Sequence, residues 1–489
     1  MDENLKYYLR LTPVSPSVVQ TALTHPGIDK KYPPRDLYPI LQKYAHNFFS
    51  RGLEPRLISL AGLRGTGKTT LLWQMAAYLH RKLPQRVFFF NVNILHTLGF
   101  SLFDALEAFQ QFILKKRFNA LQKPIALLFD EVQDDPQWSK TLKILYDEAP
   151  YAFILCSGSS ALLLNQTADL ARRMQLEKVF PFKFTEFIRT KNLLAAGTEK
   201  LHIPPQTASQ LKEALFFSEH AQDAFQAIQE AQENVASYWQ QIQESAISTN
   251  RKKTKEKLIW EYINYKNIPA FLPYYDEYNI LKSLSGLTKR IVFEDLPKIN
   301  PSCKHYFKAE RLLFRLAGSE EINIVKLAGD LELKKKEVEE FISLLQQAEL
   351  IIQLPSHGGL NSRISKNKKA FFMSPSLRRA LLSQLFGKTL PQIYQSKLLE
   401  DLIVMYLRRL LDNSTLFFSA TKKGPSPDFV IETHQKPLAL KVSMGRKTAR
   451  QVQNDKTPYR YGIVVNASTN TPLLKNDTLF LPLHWFILM

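Results

Sequence analysis

Cysteine is nearly absent from this chain of 489 residues, which holds only Cys156 and Cys303. Two thiols without metal-ligand neighbours exclude a disulfide framework and a structural zinc site, and they predict a reducing, cytoplasmic compartment. Long apolar runs are missing too. The longest are strand-sized or broken by charges, short of the roughly 20 residues that cross a bilayer, so no membrane span is expected. The opening residues MDENLKYYLRL carry acids where a signal peptide carries bases before an apolar core. Acids are in deficit, 45 against 65 Lys and Arg, leaving a net charge of +20. That balance excludes an acidic, self-solvating chain. It fits a polyanionic partner such as nucleic acid or an anionic membrane surface, and equally a solvated basic surface, because charge alone names no partner. What is present is a globular balance, 45% hydrophobic and 22% charged, on a chain long enough for two or three domains.

From about Tyr32 to Phe187 short apolar strands alternate with amphipathic helices, the pattern of a parallel α/β sheet. Strands are predicted at Arg56–Ala61, Val87–Asn91, Ile125–Phe129 and Ala152–Ser157, with helices at Thr69–Leu79, Phe103–Asn119 and Trp138–Ala149. Residues 204–244 turn rich in Gln, Ala and Glu. Their apolar positions Ala224, Phe225, Ile228, Ala231 and Val235 recur at helical spacing and predict an insertion or hairpin. The run 251–257 then reads as a solvated helix start or a phosphate-contacting patch. Residues 306–382 read as three helices, Lys308–Leu316, Ile324–Gly329 and Lys334–Ala348, then strand Leu350–Leu354 and a basic return strand Ile364–Met373. That order resembles a winged helix, whose third helix often enters a DNA groove. Lys334, Lys335 and Lys336 would open that helix, with Arg363, Lys366, Lys368 and Lys369 on the wing. Glu337, Glu339 and Glu340 follow at once, so a wing used for packing or protein contact stays open. The tail, helix Lys397–Leu411 and strands Leu416–Ala420, Phe429–Glu432, Leu438–Val442 and Tyr461–Asn466, is a second, smaller α/β unit.

The chemistry is concentrated early. Gly62-Leu63-Arg64-Gly65-Thr66-Gly67-Lys68-Thr69 fits G-x-x-x-x-G-K-[ST] between a predicted strand and a predicted helix. Glycines at Gly62, Gly65 and Gly67 let the backbone close on a phosphate, so that successive N–H groups, that of Thr66 among them, point at the anion. The positive end of the following helix faces the same anion. Lys68 is expected on the β- and γ-phosphates, the Thr69 hydroxyl on Mg²⁺, and Thr70 next in the binding set. Leu127-Leu128-Phe129 then delivers Asp130 and Glu131 to a strand end, where ligands of open α/β sheets bind. Asp130 is the expected Mg²⁺ ligand and Glu131 the residue that orients or deprotonates the attacking water. The next strand ends in Cys156-Ser157-Gly158-Ser159-Ser160, making Ser157 or Ser159 a candidate γ-phosphate sensor, or else a plain Ser/Gly turn. Arg172 and Arg173 are candidates to neutralise transition-state charge, in cis or from a neighbouring subunit of a homo-oligomer.

Phe129-Asp130-Glu131-Val132-Gln133, Ser157-Gly158-Ser159-Ser160, Leu170-Ala171-Arg172-Arg173 and Phe180-Pro181-Phe182-Lys183-Phe184-Thr185-Glu186-Phe187 occur in this order. The chain resembles a widespread bacterial and archaeal family of AAA-superfamily ATPases that join such a core to a winged helix and a C-terminal domain similar to restriction-endonuclease-like nucleases. Tyr265-Lys266-Asn267-Ile268-Pro269 and Phe293-Glu294-Asp295-Leu296 carry it further. The resemblance implies an α/β P-loop NTPase with an AAA-like parallel sheet over 1–189. A helical insertion and lid at 190–304, a winged helix at 305–385 and a nuclease-like α/β domain at 386–489 would follow. The family usually has Gly at Arg172, so the finger role passes to Arg173. Nuclease domains of that type need a helix acid, an Asp, and a carboxylate two residues before a lysine. Glu400, Asp428 and Lys441 fall in place, but the carboxylate position is Ala439, which implies an inactive scaffold or binding module. The expected function is ATP-Mg²⁺ hydrolysis coupled to DNA. The alternative is a nucleotide-gated protein-interaction switch with slow turnover, and an ATP-dependent nuclease is disfavoured.

Overall fold

The structure, a computed structural model, describes residues 2–25, 27, 29–158, 170, 172–195, 201, 203–245, 254–274, 276–301, 305–319, 322–360, 363, 368–411, 415–419, 426–433, 435–445, 452 and 458–489. It divides into two compact units, Met1–Phe180 and Pro181–Met489.

The first unit is built on five parallel strands: β1 (Leu57–Ala61), β2 (Val87–Asn91), β3 (Ile125–Asp130), β4 (Ala152–Gly158) and β5 (Gln175–Lys178). They lie in the order β2-β3-β4-β1-β5. β3 and β4 are buried along their whole length, which explains why they read as unbroken apolar runs rather than alternating ones. Their side chains still alternate between two cores. Ile125, Leu127 and Phe129 face the layer formed by Leu102–Phe109 and Trp138–Glu148, while Ala126 and Leu128 face Leu71, Leu72, Met75 and Leu79 of the P-loop helix, α1 (Lys68–Lys82). Truncating a residue such as Leu128 to Ala would cost about 2–5 kcal/mol, which sets the rigidity of the platform beneath the loops.

The predicted long helix Phe103–Asn119 is instead Leu102–Phe109, a wide turn over Gln110–Leu114 and a short turn at Phe118–Ala120. Lys115 in left-handed backbone ends the run, and the Gln110 side chain accepts from the Phe118 N–H at 2.9 Å. A local side-chain acceptor there replaces the next helical turn.

The second unit opens with α2 (Phe184–Ala195), followed by Pro205–Phe217, Ala221–Glu230 and Gln232–Glu244. The insertion is thus three helices, with Ala224, Ile228, Val235 and Tyr238 on the buried side. Helices Tyr306–Gly318, Ile324–Leu331 and Lys335–Gln347 precede an antiparallel hairpin of β6 (Ile351–Leu354) and β7 (Lys369–Phe372). The C-terminal sheet is mixed: β8 (Leu416–Phe418), β9 (Phe429–Ile431), β10 (Leu438–Ser443), β11 (Gly462–Asn466), β12 (Leu473–Lys475) and β13 (Thr478–Pro482), in the order β8-β9-β10-β11-β13-β12. The last two strands were not anticipated. Asp401, fully buried on helix Gln392–Leu410, pins this unit together. It accepts from Arg378 Nε at 2.6 Å and from the Phe372 N–H at 2.8 Å, while Arg378 also donates to the Ala317 carbonyl at 2.8 Å. No described helix is long and apolar enough to cross a membrane.

Candidate functional site

The P-loop joins β1 to α1. Gly65 and Gly67 sit at φ +81° and +89°, where a side chain is strained, so these two positions require glycine. A Cβ on Gly62 would lie 2.4 Å from the Val179 carbonyl oxygen, so the first glycine is demanded by the chain leaving β5. Within the loop the Thr66 hydroxyl donates to the Leu63 carbonyl at 2.8 Å. Lys68 is buried, its ammonium donating to the Gly62 and Leu63 carbonyls at 2.9 and 3.3 Å. Thr70 lies beside Thr69 in the first turn of α1.

At the same sheet edge Asp130 ends β3. It accepts from the Thr69 hydroxyl at 3.1 and 3.0 Å and from the Ser157 hydroxyl. Burial, and next the neighbouring Glu131, push its carboxyl above the ordinary range, opposed by the Ser157 and Thr69 hydrogen bonds and by Lys68. Glu131 takes left-handed backbone, φ 56°, a conformation that costs a non-glycine residue of order 1–3 kcal/mol. Two contacts hold it there: its N–H donates to Ser157 Oγ at 3.2 Å, and Gln133 donates to its carboxylate.

The geometry brings Lys68, Thr69, Asp130, Glu131 and Ser157 together. Ser157 donates its hydroxyl to the Asp130 carboxylate and accepts from the Glu131 N–H. Ser159 lies outside the described residues. Arg173 is not brought to the pocket: it stands just before β5, at the edge of the sheet where the parallel strands begin, with its Nε 2.9 Å from Asp147. Strands of five residues put roughly 16 Å between that edge and the phosphate loop, so a cis role is lost. Arg172 stands at the same edge.

Two further residues belong to the site. Gln133 was visible in the Asp-Glu-Val-Gln string but went without a role. Arg35 carries no motif at all. Its buried guanidinium donates to the Thr66 carbonyl in the P-loop and to the Phe180 carbonyl at 2.9 Å. Gln74 on α1 holds the preceding segment by donating to the Pro33 carbonyl at 3.1 Å.

The nucleotide and its metal fit this donor set. A hydroxyl and a carboxylate side by side, Thr69 and Asp130, are the hard oxygen ligands that Mg²⁺ takes, and the glycine loop leaves its backbone open to a phosphate.

Residues 54–188 match a family model described as an AAA domain, and residues 256–386 match one described as a domain of unknown function. The first of these matches covers most of the first unit. Over 460 residues the chain is 26% identical to an uncharacterized protein of Methanocaldococcus jannaschii, covering 92% of this chain and 88% of that one. Among solved structures, the ORC1 protein of Aeropyrum pernix in complex with DNA is 12% identical, covering 75% of this chain and 97% of that one, at a TM-score of 0.32. The RuvB Holliday junction branch migration motor of Thermotoga maritima is 15% identical, covering 65% and 89%, at 0.29.

The cations expected on the wing are not all free. Arg363 pairs with Glu432 and lies 4.3 Å over the Phe417 ring, and Lys369 pairs with Glu400 at 3.0 Å. Lys366 lies outside the described residues. Lys368 and Lys334, Lys335 and Lys336 are exposed. In the C-terminal sheet Lys441 donates to Asp428 at 3.2 Å, and the Val442 N–H donates to the other carboxylate oxygen at 2.8 Å. Ala439 is fully buried in an apolar cluster with Val452, Val464 and Phe480. No group of three potential metal ligands occurs among the described residues.

Proposed function

We propose that this chain hydrolyses ATP with Mg²⁺ and couples that cycle to DNA. The observation that carries the reading is the convergence of Thr69, Asp130, Ser157 and Glu131 at the mouth of a glycine loop that holds Lys68. When bound, Mg²⁺ supplies charge neutralisation at the phosphates, with Thr69 and Asp130 as its protein ligands. Lys68 exchanges the Gly62 and Leu63 carbonyls for phosphate oxygens. Glu131, aimed by Gln133 and by the Ser157 contact to its own N–H, accepts the proton of the attacking water. DNA is favoured as partner by the net charge of +20 and the exposed Lys334, Lys335 and Lys336.

The test is steady-state turnover with and without DNA, run beside two variants. Lys68→Ala should abolish nucleotide binding by calorimetry. Glu131→Gln should retain ATP but lose turnover by about 100-fold or more, since its amide accepts no proton. A Glu131→Gln chain that turns over at the parent rate refutes the assignment. The C-terminal domain is read as non-cleaving, because the Ala439 position is filled by apolar neighbours as well as lacking a carboxylate. Metal-dependent DNA cleavage lost in Asp428→Ala but kept in Lys68→Ala overturns that part.

A further inference from the structure

Between helix Glu277–Arg290 and helix Pro375–Phe386 lies a groove of about 880 Å³, within the upper range of ligand pockets. Almost all its lining falls in the stretch that matches the domain of unknown function. Its chemistry is basic and polar. Lys282 rises from one helix and Lys388 from just beyond the other; both are exposed, and among the described residues neither carries an ion pair. Ser285 and Gln384 face each other across it, the amide donating to the hydroxyl at 2.7 Å. The Tyr278 ring at its edge is 62% exposed.

The acids in the groove are already engaged. Asp276 caps its own helix by accepting from the Asn279 N–H at 3.0 Å. Glu277 and the buried Arg379 both hydrogen-bond to the Tyr265 hydroxyl, and Arg379 also donates to the Lys388 carbonyl at 2.6 Å. Lys289 is partly offset by Glu310 at 3.6 Å. The lining therefore sets four cations, Lys282, Lys289, Arg379 and Lys388, against the two carboxylates of Asp276 and Glu277, and two of its exposed ammonium groups, Lys282 and Lys388, flank a floor of hydroxyl and amide with an aromatic ring beside it. Phosphate, sugar and base edges would each find a partner in that set.

We infer that this groove binds a short stretch of single-stranded nucleic acid, its phosphates on Lys282 and Lys388 and a base on Tyr278. A duplex is too wide for a cleft between two packed helices, whereas a strand with unstacked bases is not. The inference rests on the nucleic-acid part of the proposed function and is independent of the ATPase part. It also gives the basic charge a location, since Arg363 and Lys369 are spent internally.

The test uses the full chain and a fluorescein-labelled oligo-dT of about 12 nucleotides, followed by anisotropy across a salt series. Lys282→Glu with Lys388→Glu should weaken binding at least about tenfold. It should also flatten the slope of log affinity against log salt by about 1.4, from two contacts at about 0.7 each. Tyr278→Ala should lose about tenfold with the salt slope unchanged. Gly286 lines the groove with open space at its Cβ, so Gly286→Glu blocks it without a clash and should act like the double variant. Unchanged far-UV circular dichroism and urea unfolding in all variants show that the fold is intact. Wild-type affinity and slope in the variants overturn the inference, as does one-for-one competition by a mononucleotide, which makes the groove a small-molecule pocket. If duplex DNA binds but the oligomer does not, the groove assignment falls and the DNA reading stands; if neither binds, both fall.

Discussion

Arg35 shows how much of a phosphate loop's shape can be held from outside it. A P-loop needs its N–H groups turned inward, so its carbonyls turn outward, and one of these, on Thr66, is buried against the Arg35 guanidinium. The same side chain reaches the Phe180 carbonyl, and the neighbouring Val179 carbonyl fills the space a Gly62 side chain would need. Removing the guanidinium leaves a buried carbonyl, that of Thr66, and a partly buried one, that of Phe180, short of a donor, at up to about 1–3 kcal/mol each before relaxation. Arg35→Ala should therefore weaken ATP binding about tenfold by calorimetry while Lys68 remains intact, a loss of about 1.4 kcal/mol. Arg35→Lys, with a point charge in place of a fork, should fall between the two. Parent affinity in Arg35→Ala refutes the role. The convergence of Lys68, Thr69, Asp130 and Glu131 was legible in the sequence because their spacing along strand, loop and helix brings them to one edge of the sheet. Arg35 was not, because its partners are backbone carbonyls, which leave no trace in residue identity.

The elements divide along the same line. β2 was predicted at its observed bounds, and β1, β3 and β4 to within a residue, because buried parallel strands are apolar throughout and stop where polar loops begin; β5, partly exposed and polar at Gln175, Glu177 and Lys178, was not predicted. The helix predicted over Phe103–Asn119 failed because periodicity cannot see the Gln110 contact that unwinds it. β12 and β13 were missed because a strand pair near a chain end, with Asn476 and Asp477 both at positive φ in its turn, is short and has weak alternation. A further buried element has a pH consequence. His484, in the short helix Leu483–Phe486, stands 3.3 Å from Lys255 Nζ, and its ring lies edge-on to Trp239. Burial, reinforced by the Lys255 charge, lowers its imidazole from 6.5 to about 3. The unfolded chain takes the proton near 6.5 while the folded chain refuses it until about 3. This contribution is therefore complete above pH 6.5 and declines as pH falls through that window, by up to about 1.4 kcal/mol per pH unit. His484→Asn keeps an acceptor for Lys255 but does not titrate. In urea unfolding, the stability of the parent chain relative to His484→Asn should fall by about 2 kcal/mol between pH 7.5 and pH 5. A difference that stays constant over that range removes His484 as the cause.

At the scale of the whole molecule the unanswered demand is charge at the γ-phosphate. Among the described residues Lys68 is the cation that acts on Asp130, and the candidate arginine stands at the other edge of the sheet. Arg173 is half-buried there, with Asp147 2.9 Å from its Nε and the Tyr146 ring 5.9 Å from its guanidinium; ion pairs near the surface are worth roughly 0–1 kcal/mol. A half-buried arginine at a strand-start edge can serve a second copy if its pair with Asp147 opens. A heterologous, head-to-tail interface would set that edge of one subunit against the phosphate loop of the next. That arrangement makes a prediction independent of knowing the ring size. Arg173→Ala alone should bind ATP normally but turn over at least about 100-fold more slowly, and Lys68→Ala alone should be inactive for lack of nucleotide. Coexpressed in equal amounts, the two should regain roughly a quarter of the wild-type rate. Half of all interfaces then hold an intact pocket from the Arg173→Ala chain, and half of those face an intact arginine from the Lys68→Ala chain. Mixed assemblies with no more activity than either parent, or a fully active protein that sediments only as a monomer, exclude the intersubunit arginine.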